Sequence, residues 1–157
     1  MKKESMTIKD ALSKAMDWCS KMERSSFDVK IKLSGWGIGN EDINKIIETL
    51  EDEGFLNANR YIEAYIKGKL NYKKWGRIKI KYHLKAKGFK DNIIDKSIQE
   101  LVDDEKYYAM ILDQLRKKST SINDKDEYIR KSKVINFGAS RGYETELTYQ
   151  CLNQLFS

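Results

Sequence analysis

Three observations predict an all-helical chain built from three tandem three-helix repeats. A short pattern recurs about every fifty residues: Val29, Leu33 and Gly37, then Ile80, Leu84 and Gly88, then Val134, Gly138 and Gly142. Between these landmarks the apolar residues fall at three- and four-residue spacing, the period of a helix face and not the alternation of a strand. Proline is absent from all 157 residues, where average usage of about 5% would place roughly eight. The first two copies align without gaps at an offset of 51, which pairs Phe27 with Ile78, Ile38 with Phe89, Ile43 with Ile94, Ile47 with Ile98 and Leu50 with Leu101. The third follows at an offset of 54 and is the divergent copy, since Gly138 stands opposite Leu84. A unit of this size alone buries only about 60% of its surface, so such units share cores by stacking and favour an extended recognition surface over a closed pocket.

Each element has its own local cause. In the first unit, Thr7 or Asp10 is placed to cap a helix running to about Arg24, with Ala11, Ala15, Met16, Trp18, Cys19 and Met22 as its apolar faces. Ser25 or Ser26 restarts the chain, and a second helix spans about Phe27 to Trp36, ending at Gly35, Gly37 and Gly39. Asn40 is the expected cap of a third helix, Glu41 to Glu53, whose Ile43, Ile46, Ile47 and Leu50 form one stripe before Gly54 ends it.

The second unit repeats this plan. Asn57 or Asn59 caps a helix to about Leu70, a helix follows from about Lys74 to Lys87, and after Gly88 another runs from Asp91 to about Val102. In the third unit a helix from Asp104 to about Lys118 precedes the most polar stretch of the chain, Lys117 to Asp126, read as a mobile linker that lets the last unit swing. Asp124 or Asp126 caps the helix carrying Val134, and a last helix runs from Glu144 to about Phe156. The expected unit limits are 1–56, 57–103 and 104–157.

Composition narrows the function classes. The two cysteines, Cys19 and Cys151, lie in separate amphipathic segments without CxxC spacing, so neither a disulfide framework nor a zinc site is indicated. The N-terminal stretch lacks a continuous apolar run of leader length and no later stretch approaches eighteen apolar residues, so a cytoplasmic protein without membrane contact is expected. No phosphate-binding GxxxxGK[ST] loop or HExxH zinc motif occurs, and His83, the only histidine, has no metal or nucleophile constellation near it. No cofactor is expected.

The formal net charge of +6 is modest but unevenly placed. Between Ala64 and Lys90 stand ten Lys or Arg residues and no acid, whereas Glu41 to Glu53 carries six acids against Lys45. A basic middle between acidic shoulders suits a polyanion or an acidic protein groove. It is equally the pattern of a solvated, lysine-rich face.

At about 100° per residue the helix around Ile80 shows two apolar stripes, one of Ile80 and Leu84, the other of Trp75, Ile78, Tyr82 and Ala86. Ile80 and Leu84 match Val29 and Leu33 and are assigned to the core. Ile78 and Tyr82 match Phe27 and Ile31 and are expected to pack between units, with Trp75 and Tyr82 as stacking platforms or partner anchors the alternative. Arg77, Lys81 and Lys85 flank this stripe on one side, and Lys79, His83 and Lys87 on the other. The candidate binding residues are therefore Lys73, Lys74, Trp75, Arg77, Lys79, Lys81, Tyr82, Lys85 and Lys87.

The order and spacing of two motifs resemble the RecX family of recombinase regulators. The first is Gly54, Phe55, Leu56, Asn57, Arg60 and Tyr61 after an acidic, leucine-containing helix; the second is Gly76, Arg77, Ile80, Leu84, Lys87, Gly88 and Phe89, with Arg77 where that family usually has proline. The resemblance implies tandem three-helix units in an elongated, curved helical array. It implies a protein that binds the RecA recombinase filament along its groove and lowers ATP hydrolysis, strand exchange and co-protease activity. It also implies that single- or double-stranded DNA is contacted by some members, and carries over no catalytic residues. A monomer is expected. The competing reading is a helical DNA-binding protein of helix-turn-helix type, which expects a recognition helix with polar base-reading residues near its N-terminus; the apolar content of Trp75 to Leu84 fits that poorly.

Overall fold

The structure, a computed structural model, describes residues 6–157; residues 1–5, part of the stretch read for an apolar leader, lie outside the described residues. Among the described residues the fold is all-helical, with nine helices: α1 (Ile8–Lys21), α2 (Ser26–Gly35), α3 (Asn40–Asp52), α4 (Ala58–Asn71), α5 (Arg77–Ala86), α6 (Asp91–Leu101), α7 (Asp104–Ser121), α8 (Glu127–Arg141) and α9 (Thr145–Leu155). The chain parts within α4 into two compact units, one ending at Ala64 and the other running Tyr65–Ser157. The repeated landmark glycines Gly37, Gly88 and Gly142 all adopt left-handed backbone, with φ of 83°, 93° and 85°. A side chain is strained there, so the recurrence of glycine marks one turn used three times.

In the first unit Thr7 accepts from the Asp10 N–H at 3.1 Å and starts α1. Ser25 begins α2 through a reciprocal box: its hydroxyl accepts from the Asp28 N–H at 3.0 Å while the Asp28 carboxylate accepts from the Ser25 N–H at 3.1 Å. The helices close on Ala11, Ala15, Val29, Leu33, Ile43, Ile46 and Leu50, all buried. Asn40 is not the cap of α3: Gly39 holds that position with extended backbone and Asn40 is the first helical residue. Asn57 caps α4, accepting from the Arg60 N–H at 2.9 Å. The Arg60 guanidinium reaches back to the Gly54 carbonyl at 2.8 Å and pairs with Glu23 at 2.7 Å, which ties the start of α4 to the turn after α3.

In the second unit Ile80, Leu84, Ile94, Ile111, Leu115 and Val134 are fully buried. A Cβ at Gly138 would lie 3.0 Å from Thr148 Oγ1, so the glycine that replaces a core leucine in the divergent copy lets α9 approach α8. Two expectations fail here. The helix α5 starts at Arg77, not near Lys74, because Lys74 takes a left-handed φ of 57° and its carbonyl accepts from the Tyr143 hydroxyl at 2.6 Å.

The polar stretch after Lys117 is not a swinging linker. Helix α7 continues to Ser121, with Ser119, Thr120 and Ser121 donating to carbonyls three residues back, and Asp124 pairs with Lys133. The last three helices are fastened to α5 by backbone bonds: Gly76 N–H to the Arg141 carbonyl at 2.7 Å and Ile78 N–H to the Gly142 carbonyl at 3.1 Å. Gly76 has no room for a side chain, since a Cβ there would sit 2.1 Å from the Gly142 oxygen.

Candidate partner-binding surface

The basic middle of the sequence occupies the end of α4, the loop from Tyr72 to Gly76, and α5. Helix α5 presents its two apolar stripes as the helical period requires, but they have different fates. Ile80 and Leu84 are core, whereas Ile78 is 54% and Tyr82 70% exposed. The matching residues of α2, Phe27 at 41% and Ile31 at 59%, are exposed too, so neither stripe is covered by its own unit. Periodicity identifies an apolar face; it does not supply a neighbour to cover it.

The two cationic rows beside the stripe are held differently. On one side, Arg77 Nε lies 3.1 Å from Glu144 Oε2 and its Nη1 3.2 Å from Asp104 Oδ1, with the guanidinium 4.1 Å above the Tyr107 ring. The Arg77 backbone N–H donates to Tyr107 Oη at 3.0 Å, a bond proline could not make, and that hydroxyl donates to Glu144 at 2.5 Å. Burial, reinforced by the hydrogen bond to Glu144, pushes the Tyr107 phenol well above its ordinary range. Lys81 pairs with Asp95 at 2.8 Å, and that hydrogen bond raises the ammonium's pKa. Lys85 pairs with Asp91 at 3.2 Å.

On the other side, Lys79 Nζ lies 4.5 Å from the Trp75 ring centre and donates to the Ser140 carbonyl at 3.2 Å. Trp75 is half-buried between Lys79 and Lys69, with His83 at 4.8 Å and Tyr65 edge-on at 6.5 Å. Trp75 is thus packed within the unit, and its neighbour His83 meets the ring of the exposed Tyr82 at 5.4 Å. Lys87 closes α5 as its C-terminal cap.

Lys73 and Lys74 stand in the loop. Lys73 is exposed and Lys74 half-buried, and neither makes an ion pair among the described residues. The Lys73 carbonyl accepts from Arg141 at 2.9 Å, which fixes the loop while leaving the ammonium out. Lys73, Ile78 and Tyr82 are thus exposed and Lys74 half-buried without an ion pair among the described residues, whereas Arg77, Lys79, Lys81 and Lys85 are set against internal partners.

Those internal partners, Asp91, Asp95, Asp104, Glu144 and Tyr107, are absent from the sequence-derived set. Two are legible: Lys85 and Asp91 stand three residues to either side of Gly88, and Lys81 and Asp95 seven, as an antiparallel hairpin turning there requires. A groove of about 700 Å³ runs beside α5 and α6, with Ile78, Ile98, Leu101 and Val102 as its apolar lining and more acids than cations around it.

Residues 59–98 match the family model of the RecX second three-helix domain, and residues 104–152 that of the RecX third three-helix domain. The regulatory protein RecX of Clostridium acetobutylicum is 30% identical over 150 residues, covering 94% of this chain and 69% of that protein. That of Clostridium beijerinckii is 32% identical over 154 residues, covering 97% of this chain and 70% of the relative. The chain thus spans about two thirds of these clostridial relatives. The RecX of Chlorobium phaeobacteroides is 28% identical over 148 residues, covering 94% of this chain and 95% of its own. The crystal structure of RecX from Lactobacillus salivarius superposes with a TM-score of 0.80 at 22% identity, over 94% of this chain and 96% of that one, a likeness of fold. No helix among the described residues is long and apolar enough to cross a membrane.

Proposed function

The chain belongs to the RecX family, and we propose that it is a regulator that binds a RecA recombinase filament and lowers its activity in ATP hydrolysis, strand exchange and co-protease function, with no active site of its own. The observation that carries this reading is the pair of RecX three-helix domains in order along the chain, at 59–98 and 104–152. The repeat itself supports it. Taking the units as 1–56, 57–103 and 104–157, the first two carry matching exposed residues, Phe27 and Ile31 with Ile78 and Tyr82, which suits a partner that is itself a repeating polymer.

Within this reading the outward groups make the contact. Lys73 and Lys74 carry charge without ion-pair partners among the described residues, and Ile78 and Tyr82 offer exposed apolar area on α5. The Arg77 guanidinium is already paired with both Asp104 and Glu144, so it holds the second unit together. Lys81 and Lys85 are intermediate, since exposed pairs of this kind are worth about 0–1 kcal/mol and exchange readily for an outside partner.

The test is binding to a recombinase filament assembled on single-stranded DNA, read by co-sedimentation. Replacing Tyr82 and Ile78 with alanine, with Lys73→Gln and Lys74→Gly, is expected to weaken binding at least tenfold, as truncation of an aromatic anchor with its flanking charges does. Binding unchanged in this variant would reject the assigned surface. Wild-type protein that binds the DNA alone, and the filament no better, would favour the helix-turn-helix reading.

A further inference from the structure

The hairpins α2–α3 and α5–α6 are copies of one plan, and the difference between them exposes a binding groove. In α5–α6 two ion pairs bridge the helices, Lys85 with Asp91 and Lys81 with Asp95, placed three and seven residues to either side of Gly88. The same places about Gly37 in the first copy hold Ser34 with Asn40, and Lys30 with Asn44. Both carboxylates have become carboxamides while one cation remains. Among the described residues Lys30 makes no ion pair, and the Asn40 and Asn44 side chains make no hydrogen bond.

These four side chains, with Ile31 and Ile43, line an open groove of about 530 Å³ in the first unit. Ile43 is buried at its base and Ile31 exposed at its edge. The lining therefore offers an aliphatic base, one ammonium, one hydroxyl and two amides that can each donate. Glu41 and Asp42 stand on the first turn of α3 but do not line it.

We infer that this groove receives a carboxylate side chain of the protein partner, an Asp or Glu beside an aliphatic residue, with the acid taking against Lys30 the place that Asp95 takes against Lys81. The second copy supplies its own carboxylate at 2.8 Å and is closed. The first lacks one, and its amide donors accommodate a carboxylate that aspartates at positions 40 and 44 would repel. The aliphatic lining favours a protein segment over a phosphodiester backbone, which brings no apolar group to Ile31. The inference rests on the regulatory reading and names the chemistry of its contact.

The test installs the closed copy in the open one. Ser34→Lys with Asn40→Asp and Asn44→Asp recreates both internal pairs, and is expected to weaken filament binding at least tenfold, the loss of one charge-assisted bond. Lys30→Gln, a change at an exposed side chain, is expected to give the same loss and keeps the test independent of how the hairpin refolds. If wild-type protein binds the filament and both variants bind equally well, the inference is overturned and the regulatory reading stands. If wild-type protein does not bind it, the regulatory reading falls and the inference with it. If the variants lose binding to DNA alone and keep the recombinase, the groove belongs to phosphate and the inference is again overturned.

Discussion

Substituting Gly76 with alanine tests how the second unit is held together. The added Cβ would lie 2.1 Å from the Gly142 oxygen, 2.4 Å from its carbonyl carbon and 2.6 Å from the Tyr143 nitrogen, where ordinary contact begins at 3.4 Å. All three are backbone atoms, so no side chain can swing away and the two strands of chain must part by about 1 Å or more. Separation breaks the Gly76 to Arg141 bond of 2.7 Å and the Ile78 to Gly142 bond of 3.1 Å, and strains the Tyr143 to Lys74 bond of 2.6 Å. At about 1 kcal/mol for each bond, with a further 1–3 kcal/mol for a donor left buried, the expected loss is about 3–5 kcal/mol. For a chain of this size that lowers the melting temperature by roughly 10 °C. The assay is thermal unfolding by circular dichroism, paired with hydrogen exchange at Ile78. A variant that melts within 2 °C of wild type with the Ile78 amide still protected would refute the argument that this backbone junction fastens α5 to the last three helices.

Gly68→Ala is the contrasting case: nothing lies within 4 Å of its added Cβ, and as a helix-interior glycine it should gain about 0.5–1 kcal/mol in urea unfolding. Tyr107→Phe removes the acceptor of the Arg77 N–H and the donor to Glu144, and should cost about 1–3 kcal/mol by the same measurement, whereas Lys85→Gln should stay within about 0.5 kcal/mol. Burial pushes the Tyr143 phenol up to about 12 and raises Tyr107 further, both above the unfolded value of about 10. The folded state therefore retains these protons longer. Their contribution to stability is complete below about pH 10 and lost as pH rises toward 12, so melting temperature should fall across that window, and Tyr143→Phe should flatten the fall. Cys19 and Cys151 are buried with thiols pushed up by burial, so both should react with a thiol reagent at pH 8 only after denaturant unfolds the chain.

Much of the fold is legible in the sequence because its signals are local. Ile80 and Leu84, read from the repeat, are core; Thr7, Ser25, Asn57 and Asp126 cap their helices through side-chain oxygens; and the repeated glycines take the left-handed turn. What is not legible depends on distant residues. Helix α5 starts late because Lys74 is held by Tyr143, sixty-nine positions away. Helix α7 runs on through a serine- and threonine-rich stretch because those hydroxyls bond back into the helix, which composition alone reads as loop.

The surface shows the same division. Charge density on α5 is visible in the sequence, but which cations are spoken for is decided by acids on α6, α7 and the turn before α9. Arg77 is the clearest case, since its partners Asp104 and Glu144 lie twenty-seven and sixty-seven positions away and neither spacing is a helical one. Lys81 and Asp95 are readable once Gly88 is taken as the hairpin turn, and the same symmetry about Gly37 is what exposes the unpaired Lys30.

The regulatory reading is tested most directly by single-stranded-DNA-dependent ATP hydrolysis of the recombinase from the same organism, with this protein titrated in well below one copy per recombinase. The account predicts that hydrolysis falls at these sub-stoichiometric amounts, because one bound copy acts on a filament of many protomers. Hydrolysis unchanged at equimolar protein would contradict it.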